Sequence, residues 1–352
     1  MLLVMSEEVP LISVILPVRN GERYVCEAID SILKQSCDDL ELLIIDDHST
    51  DTTAELIQGF DDSRISVIKP EPNGHLTSAL NAARGMARGE FIARMDADDI
   101  AHPDRLRRQL LHMRENPEVG ILGTQVRQIN AEGEEILSGQ ASKPLAHADI
   151  VSSLFFGCAL WHPTVMLRKS VLDALGWYGS PVIKGREQFS GEDYDLWSRA
   201  VGSTMIANLP DVLLDYRVHD SNLSLAASGR KDHCLNTVLV LREYIRNQLS
   251  LNINLNVCAA MLQCSPNDLP PGSITRAAPE DMFGLVRPIL KHAVSEVITN
   301  DEKARLRPRL SAIIEFMIWQ QGYNIFRKSV RLCLVDPVIG LRVLFSSLKR
   351  FF

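Results

Sequence analysis

The sequence predicts an α/β fold, a mostly parallel sheet with helices on both faces followed by an all-helical C-terminal region, and three observations carry that expectation. Strand and helix patterns alternate from residue 11 to about residue 100. The strands are near-continuous apolar runs, as strands covered on both faces must be. Carboxylates gather where those strands stop, at Asp46 and Asp47 and again at Asp96, Asp98 and Asp99.

The first strand is Leu11-Ile12-Ser13-Val14-Ile15-Leu16, stopped by Pro17, and Val25, Ile29, Ile32 and Leu33 then give the segment from Gly21 to Gln35 a helical spacing. Leu40 to Ile45 forms the second strand and runs into Asp46 and Asp47, with a helix opening near Ser49 to Asp51. A third strand, Ile65-Ser66-Val67-Ile68, leads through a turn at Pro70 to Gly74 to a helix carrying Leu76, Leu80 and Ala83. The fourth, Phe91-Ile92-Ala93 and then Met95, is bounded by Gly89 and by Pro103 at the start of a helix reaching Arg114. The stretch VGILGTQVRQINAEGEEIL is expected to make two antiparallel strands around a turn at Asn130 to Gly133, and Trp161-His162-Pro163 to begin another strand, with Trp161 and His162 in packing and turn roles, the alternative being contact with an acceptor. No period runs through WYGSPVIKGREQFS, so a mobile loop is expected there, with Lys184 and Arg186 as solvated charges. Glu192 and Asp193 open a helical pattern through Leu196, Trp197 and Ala200.

Composition narrows the class further. With 352 residues, 46% hydrophobic and 23% charged, the chain has room for two domains and a sizeable core. It contains no run of about 18 uncharged apolar residues, and its start lacks the basic residues and length of a signal peptide, so a cytoplasmic protein that does not span a membrane is expected. Seven cysteines without C-x-x-C spacing fit free thiols, and none is assigned chemistry. Charge is uneven: residues 1–225 hold 20 Lys and Arg against 34 Asp and Glu, whereas 226–352 hold 17 against 10. An acidic first part argues against nucleic acid as a partner.

The acids define the candidate chemistry. In open α/β sheets ligands bind beyond the carboxyl ends of the strands, and an Asp-x-Asp placed there offers hard oxygens to Mg²⁺ or Mn²⁺, which can in turn hold phosphates. Neither G-x-G-x-x-G nor G-x-x-x-x-G-K-[ST] occurs, so a phosphate would need such a metal. The plainer alternative is a solvated acidic loop at a helix N-terminus, the role expected of Asp99 and Asp104.

The stretches ISVILPVRNGERYVCEAIDSILKQS, LELLIIDDHSTDTT, NGHLTSALNAARGMARGEFIARMDADDIAHPDRL, HPTVMLRKSVL, SGEDYDLWSRA and LLDYRVHDSNLS together resemble family 2 glycosyltransferases, which have the GT-A fold, over about Leu11 to Ser224. Six motifs in family order make that match specific. The resemblance implies transfer of a sugar, mostly with inversion, from a nucleotide-sugar donor, a UDP-sugar being expected, to a saccharide or lipid-linked acceptor. It implies that Asp47 accepts a hydrogen bond from the donor's base and that Pro17, Arg19, Glu22, Asp46, Asn81 and Asp96 complete the donor-binding set. Asp98 would be the direct ligand of Mn²⁺ or Mg²⁺, with Asp96 and His219 beside the metal, and Asp193 the general base. Arg19 stands where many members have an aromatic residue, and His48 replaces a frequent glycine. For Asp193 the alternative is first-turn charge stabilisation, and for His219 an ordinary strand-end role.

This organisation gives a catalytic domain at 1–225 and a helical region at 226–352, with helices expected at 231–250, 279–299, 302–323 and 337–352 around a break at 264–273. In the last of these Leu341, Leu344, Phe345, Leu348 and Phe352 share one face and Arg342, Ser346, Lys349 and Arg350 the other, and from Arg327 onward the chain holds six basic residues and one acid. Such a helix suits peripheral contact with an anionic membrane, or docking on the protein's own core or on a second copy in a homodimer. Rival readings of the whole are a nucleotidyltransferase, which would want a glycine-rich basic loop after the first strand, and a nucleotide-sugar-binding protein without turnover.

Overall fold

The computed structural model describes residues 9–71, 75–136, 142–155, 157–179, 190–220, 222 and 230–249, with 255, 258, 259 and 262. All lie within a compact unit spanning Met1–Thr275. The helices expected beyond residue 276, the loop residues Lys184 and Arg186, and the break at 264–273 fall outside the described residues.

The first half follows the expected alternation. The strands are β1 (Ile12–Val18), β2 (Leu40–Asp46), β3 (Ile65–Ile68) and β4 (Phe91–Arg94), separated by α1 (Val25–Leu33), α2 (Thr53–Gln58) and α3 (Leu76–Ala82). β1 pairs in parallel with β2 and β4, and β2 with β3. Every residue of β1, β2 and β4 is buried, which explains their mostly apolar character, and α1 closes over them with Val25, Ala28, Ile29 and Ile32. Gly89 lets β4 enter beside β1. A Cβ there would lie 2.5 Å from the Ser13 amide nitrogen, and the Gly89 N–H instead reaches Ser13 Oγ at 2.8 Å.

Past the short β5 (Ile100–Ala101) and α4 (Arg105–Glu115), the sheet is completed by β6 (Val119–Ile129), β7 (Met166–Arg168) and β8 (Met205–Arg217), giving the order β3-β2-β1-β4-β7-β6-β8-β5. The structure differs from the sequence reading in three places, and two of the differences have a plain physical cause. The turn after Asn130 returns only a single bridge, Ile129 to Glu135, because the returning stretch is polar and exposed. β6 is antiparallel to β7 yet parallel to β8. His162-Pro163-Thr164 is a 3₁₀ turn and the strand starts only at Met166, since Pro163 has no N–H to give a ladder.

The second half adds α5 (His147–Ser153), α6 (Lys169–Leu175), α7 (Glu192–Ala200) and α8 (Arg230–Leu249). α5 and α6, seven residues each, are not among the elements expected from the sequence. Trp177 and Tyr178, read as the start of a mobile loop, are buried instead. Trp177 Nε1 donates to Asp173 Oδ1 at 2.6 Å, and the Asn81 amide accepts from the Tyr178 N–H and donates to its carbonyl. α8 packs on α7 and buries Val238, Leu241, Tyr244 and Ile245, with the Tyr244 hydroxyl on the Val151 carbonyl at 2.9 Å.

Candidate active site

Parallel pairing in register brings the ends of β1 and β2 to one rim, Val18 opposite Asp46. The loops that follow are laced together. Asn20 N–H reaches Ser49 Oγ (3.0 Å), Gly21 N–H reaches Thr53 Oγ1 (2.8 Å), and Thr50 N–H reaches Asn20 Oδ1 (2.8 Å). Glu22 belongs to this lacing: its Oε2 accepts from the Thr52 amide and hydroxyl at 3.1 and 2.7 Å. Asp46 Oδ1 accepts the Ser49 N–H at 2.9 Å, and Pro17 is buried within β1. These residues shape the rim. His48 holds φ at 56°, a conformation that favours glycine, and anchors through Nε2 to the Pro70 carbonyl at 2.8 Å, which accounts for the glycine common at this position in the family it resembles.

Asp47 differs from its neighbours. Its side chain is buried, its Oδ1 has no hydrogen-bond partner among the described residues, and its Oδ2 lies 4.0 Å from the half-exposed Arg19 guanidinium. A buried, unpaired carboxylate oxygen carries a large desolvation cost unless something donates to it.

The acids after β4 form the second half of the rim. Asp96, Asp98 and Asp99 can each aim an oxygen so that all three lie within 4.8 Å of one another. Each acid is held differently. Arg94, buried in β4, grips both oxygens of Asp96. Asp98 Oδ2 is approached by His219 Nε2 at 2.9 Å and Asn222 Nδ2 at 3.3 Å. Asp99 is no helix cap: it is buried, its Oδ1 accepts the Arg217 N–H at 2.8 Å, and its Oδ2 is unpartnered among the described residues. Asp104 takes the surface role at the start of α4, bonding Ser36 and Arg107 at 2.7 and 3.0 Å.

Burial, reinforced by the neighbouring carboxylates, pushes Asp99 well above the usual carboxylate range, and burial raises Asp96 against the pull of Arg94. Three clustered carboxylates, one with a buried oxygen unpartnered among the described residues, fit an oxygen-seeking divalent cation, and His219 hydrogen-bonds Asp98 without belonging to that group of three. Buried Arg217 braces this arrangement. Its Nε donates to the Asp98 carbonyl (2.8 Å) and its Nη2 to Glu27 (2.6 Å), and its guanidinium lies 4.5 Å from the Tyr24 ring centroid. Tyr24 in turn lies 5.1 Å from the His219 ring.

Asp193 sits in the first turn of α7, entered through Gly191 at φ 98°. The residue is partly exposed; its Oδ1 accepts the Tyr194 N–H at 2.7 Å and its Oδ2 the Cys158 thiol at 3.2 Å. Beside it Glu192 is buried and accepts the Gly191 N–H at 3.1 Å. His162 lies between Glu192 (Nδ1 to Oε1, 3.5 Å) and the Tyr178 hydroxyl (Nε2, 3.0 Å), edge-on to Trp197. Burial, then the Arg94 charge, pushes His162 down to about 3, so this imidazole is neutral and its approach to Glu192 is not an ion pair. Asn81 contributes by fixing the Tyr178 backbone.

Sequence reasoning missed Arg94, Arg217, His162, Tyr178 and Cys158 as parts of the site. Asn222, three residues after His219, had a signal in the His-x-x-Asn spacing of HDSN. Arg94, by contrast, read as a strand interior.

A curled, mostly parallel sheet with acids at the strand ends and no glycine-rich phosphate loop is the arrangement of GT-A glycosyltransferases. The chain belongs to glycosyl transferase family 2, whose model matches residues 13–176. It is 34% identical over 249 residues to the O-antigen biosynthesis glycosyltransferase WbnJ of Escherichia coli, covering 69% of this chain and 92% of that one. Among solved structures it is similar to residues 1–349 of S. aureus TarS in complex with UDP-GlcNAc, with a TM-score of 0.55, 18% identity, and coverage of 97% of this chain and 92% of that one. It is also similar to the mannosyltransferase PcManGT from Pyrobaculum calidifontis in complex with GDP-Man and Mn²⁺, with a TM-score of 0.53, 15% identity, and coverage of 96% and 87%. Family membership sets aside the nucleotidyltransferase reading. Among the described residues no helix is long and apolar enough to cross a membrane.

Proposed function

We propose that this glycosyltransferase is an inverting, metal-dependent enzyme that moves a sugar from a nucleotide-sugar, a UDP-sugar in our reading, to a hydroxyl of a saccharide or lipid-linked acceptor. The observation that carries the reading is the convergence of Asp96, Asp98 and Asp99, with His219 on Asp98 and a buried oxygen of Asp99 that has no partner among the described residues. Mn²⁺ in the complex of the mannosyltransferase relative and the UDP-sugar in that of TarS are consistent with it.

Asp98 would hold the ion directly, with the unpartnered oxygen of Asp99 next to it, His219 beside Asp98, and Asp96 kept in place by Arg94. A divalent cation there supplies charge stabilisation for the departing nucleoside diphosphate. Asp47 would offer the oxygen that has no partner among the described residues to an N–H of the donor base, and the guanidinium plane of Arg19, 4.0 Å from Asp47, would stack on that base. The loops tied by Glu22, Asp46 and Asn20 keep these groups from collapsing together. Asp193, partly exposed at a helix N-terminus, takes the proton of the acceptor hydroxyl as that oxygen attacks the anomeric carbon from the face opposite the diphosphate. One displacement at one carbon gives inversion.

The catalytic domain then ends near residue 225, and residues 226–352 serve acceptor, dimer or membrane contact, with a cytoplasmic and peripheral location. The similarity to an O-antigen biosynthesis glycosyltransferase supports a saccharide acceptor. The test is a donor screen: nucleoside diphosphate release from UDP-, GDP- and dTDP-sugars with Mn²⁺, with Mg²⁺ and with chelator. Release from one nucleotide class that requires the ion supports the reading, and equal release in chelator refutes metal dependence.

A further inference from the structure

A thiol lies against the candidate base. Cys158 Sγ lies 3.2 Å from Asp193 Oδ2 and 3.4 Å from the Leu160 carbonyl, and the Cys158 carbonyl accepts Lys143 Nζ at 2.6 Å. Lys143 is itself fixed, its ammonium 4.8 Å from the Trp161 ring centroid. Burial, with the Asp193 charge adding to it, pushes the thiol far above the ordinary cysteine range, so it keeps its hydrogen and is a donor, never a thiolate.

The opposite carboxylate oxygen takes the Tyr194 N–H, so Asp193 has one donor on each oxygen. The other titratable and charged groups around it are Lys143 on the Cys158 side, Glu192 next along α7, and His162 and Tyr178, which feel Asp193 together with Arg94 and Asp96. Among the described residues none of these donates to Asp193. A carboxylate partly open to solvent would otherwise turn about its χ angles, and a base must hold one geometry to meet an acceptor hydroxyl within about 3 Å.

We infer that Cys158 is a positioning residue for the reaction: its S–H fixes the Asp193 carboxylate toward the acceptor. A thiol suits this because it is a weak donor, which orients a carboxylate without stabilising its charge so strongly that it ceases to be a base. The inference rests on Asp193 being the general base.

The two substitutions of choice move the hydrogen bond in opposite directions. Cys158→Ser puts a stronger donor beside Oδ2, which favours the ionised carboxylate, so the acid limb of the kcat–pH profile moves to lower pH. Cys158→Ala removes the donor, so the acid limb moves to higher pH and kcat falls roughly three- to tenfold, the worth of one such bond. The experiment is the kcat–pH profile of the full chain and of both variants, with metal-dependent nucleoside diphosphate affinity by calorimetry, and with Asp193→Asn in parallel. The expected result is the order Ser, wild type, Ala in the acid limb at unchanged nucleotide affinity, an order that loss of packing alone does not produce. Acid limbs that coincide in all three while Asp193→Asn is inactive overturn the positioning role and leave the base intact. Full turnover in Asp193→Asn overturns both. Should the alanine variant fail to fold, the direction of the serine shift decides alone.

Discussion

His162 should make this protein's stability depend on pH in a way one substitution abolishes. Folded His162 stays neutral down to about 3, whereas in the unfolded chain it takes a proton near 6.5. Between those values the unfolded state binds the extra proton, so stability is complete above 6.5 and falls as pH drops toward 3. At pH 5 the linkage costs about 2 kcal/mol, and the full shift would approach ~5 kcal/mol, an order-of-magnitude ceiling for a group so deeply buried. His162→Gln keeps a donor and an acceptor in the gap between Tyr178 and Glu192 but cannot take the proton. Urea unfolding of both proteins at pH 7.5 and pH 5 isolates the term, because Glu192 and every other carboxyl titrates in both. The wild type should lose about 2 kcal/mol more than the variant between the two pH values. Equal losses would refute the claim that a neutral imidazole is locked at this position.

Other outcomes follow from the same geometry. Asp98→Asn should leave the fold intact and weaken metal-dependent binding of nucleoside diphosphate by at least tenfold, read by calorimetry; unchanged affinity would remove Asp98 from the metal set. Gly89→Ala should destabilise by about 1–3 kcal/mol, since the added methyl meets the β1 backbone rather than a side chain that can turn away, and a chemical denaturation midpoint equal to wild type would contradict that. Truncation after Asp336 should abolish salt-sensitive sedimentation with anionic vesicles if the basic and apolar faces at 337–352 meet lipid; vesicle binding that survives truncation refutes the attachment.

Most of the sheet and both acid clusters were legible because they rest on local rules. β1, β2 and β4 are buried on both faces, so burial wrote itself into consecutive apolar residues, and the acids announced themselves by following directly. What stayed hidden depends on partners far apart in the chain. Arg94 looks like a charge misplaced in a strand until Asp96 folds back on it, and Asn81, His162, Tyr178 and Glu192 form one connected group only after α7 docks. Asp99 was read as a cap because its spacing to α4 permits one, yet the Arg217 amide claims it from β8, a contact no local pattern encodes. Cys158 was given no chemistry because a thiol's role depends on which carboxylate it meets. The three-residue β7, flanked by a 3₁₀ turn, is too short to leave a period.

In the proposed function one rim holds donor and metal while Asp193 serves the acceptor. That division is tested most directly by comparing Asp193→Asn with the wild type in a single assay, following nucleoside diphosphate release from the nucleotide-sugar found in the donor screen, with acceptor and metal present, alongside nucleotide affinity. The account predicts turnover lower by roughly 10²–10⁴-fold at unchanged, metal-dependent nucleotide affinity. Wild-type turnover in the variant, or loss of nucleotide binding as complete as the loss of turnover, would contradict it.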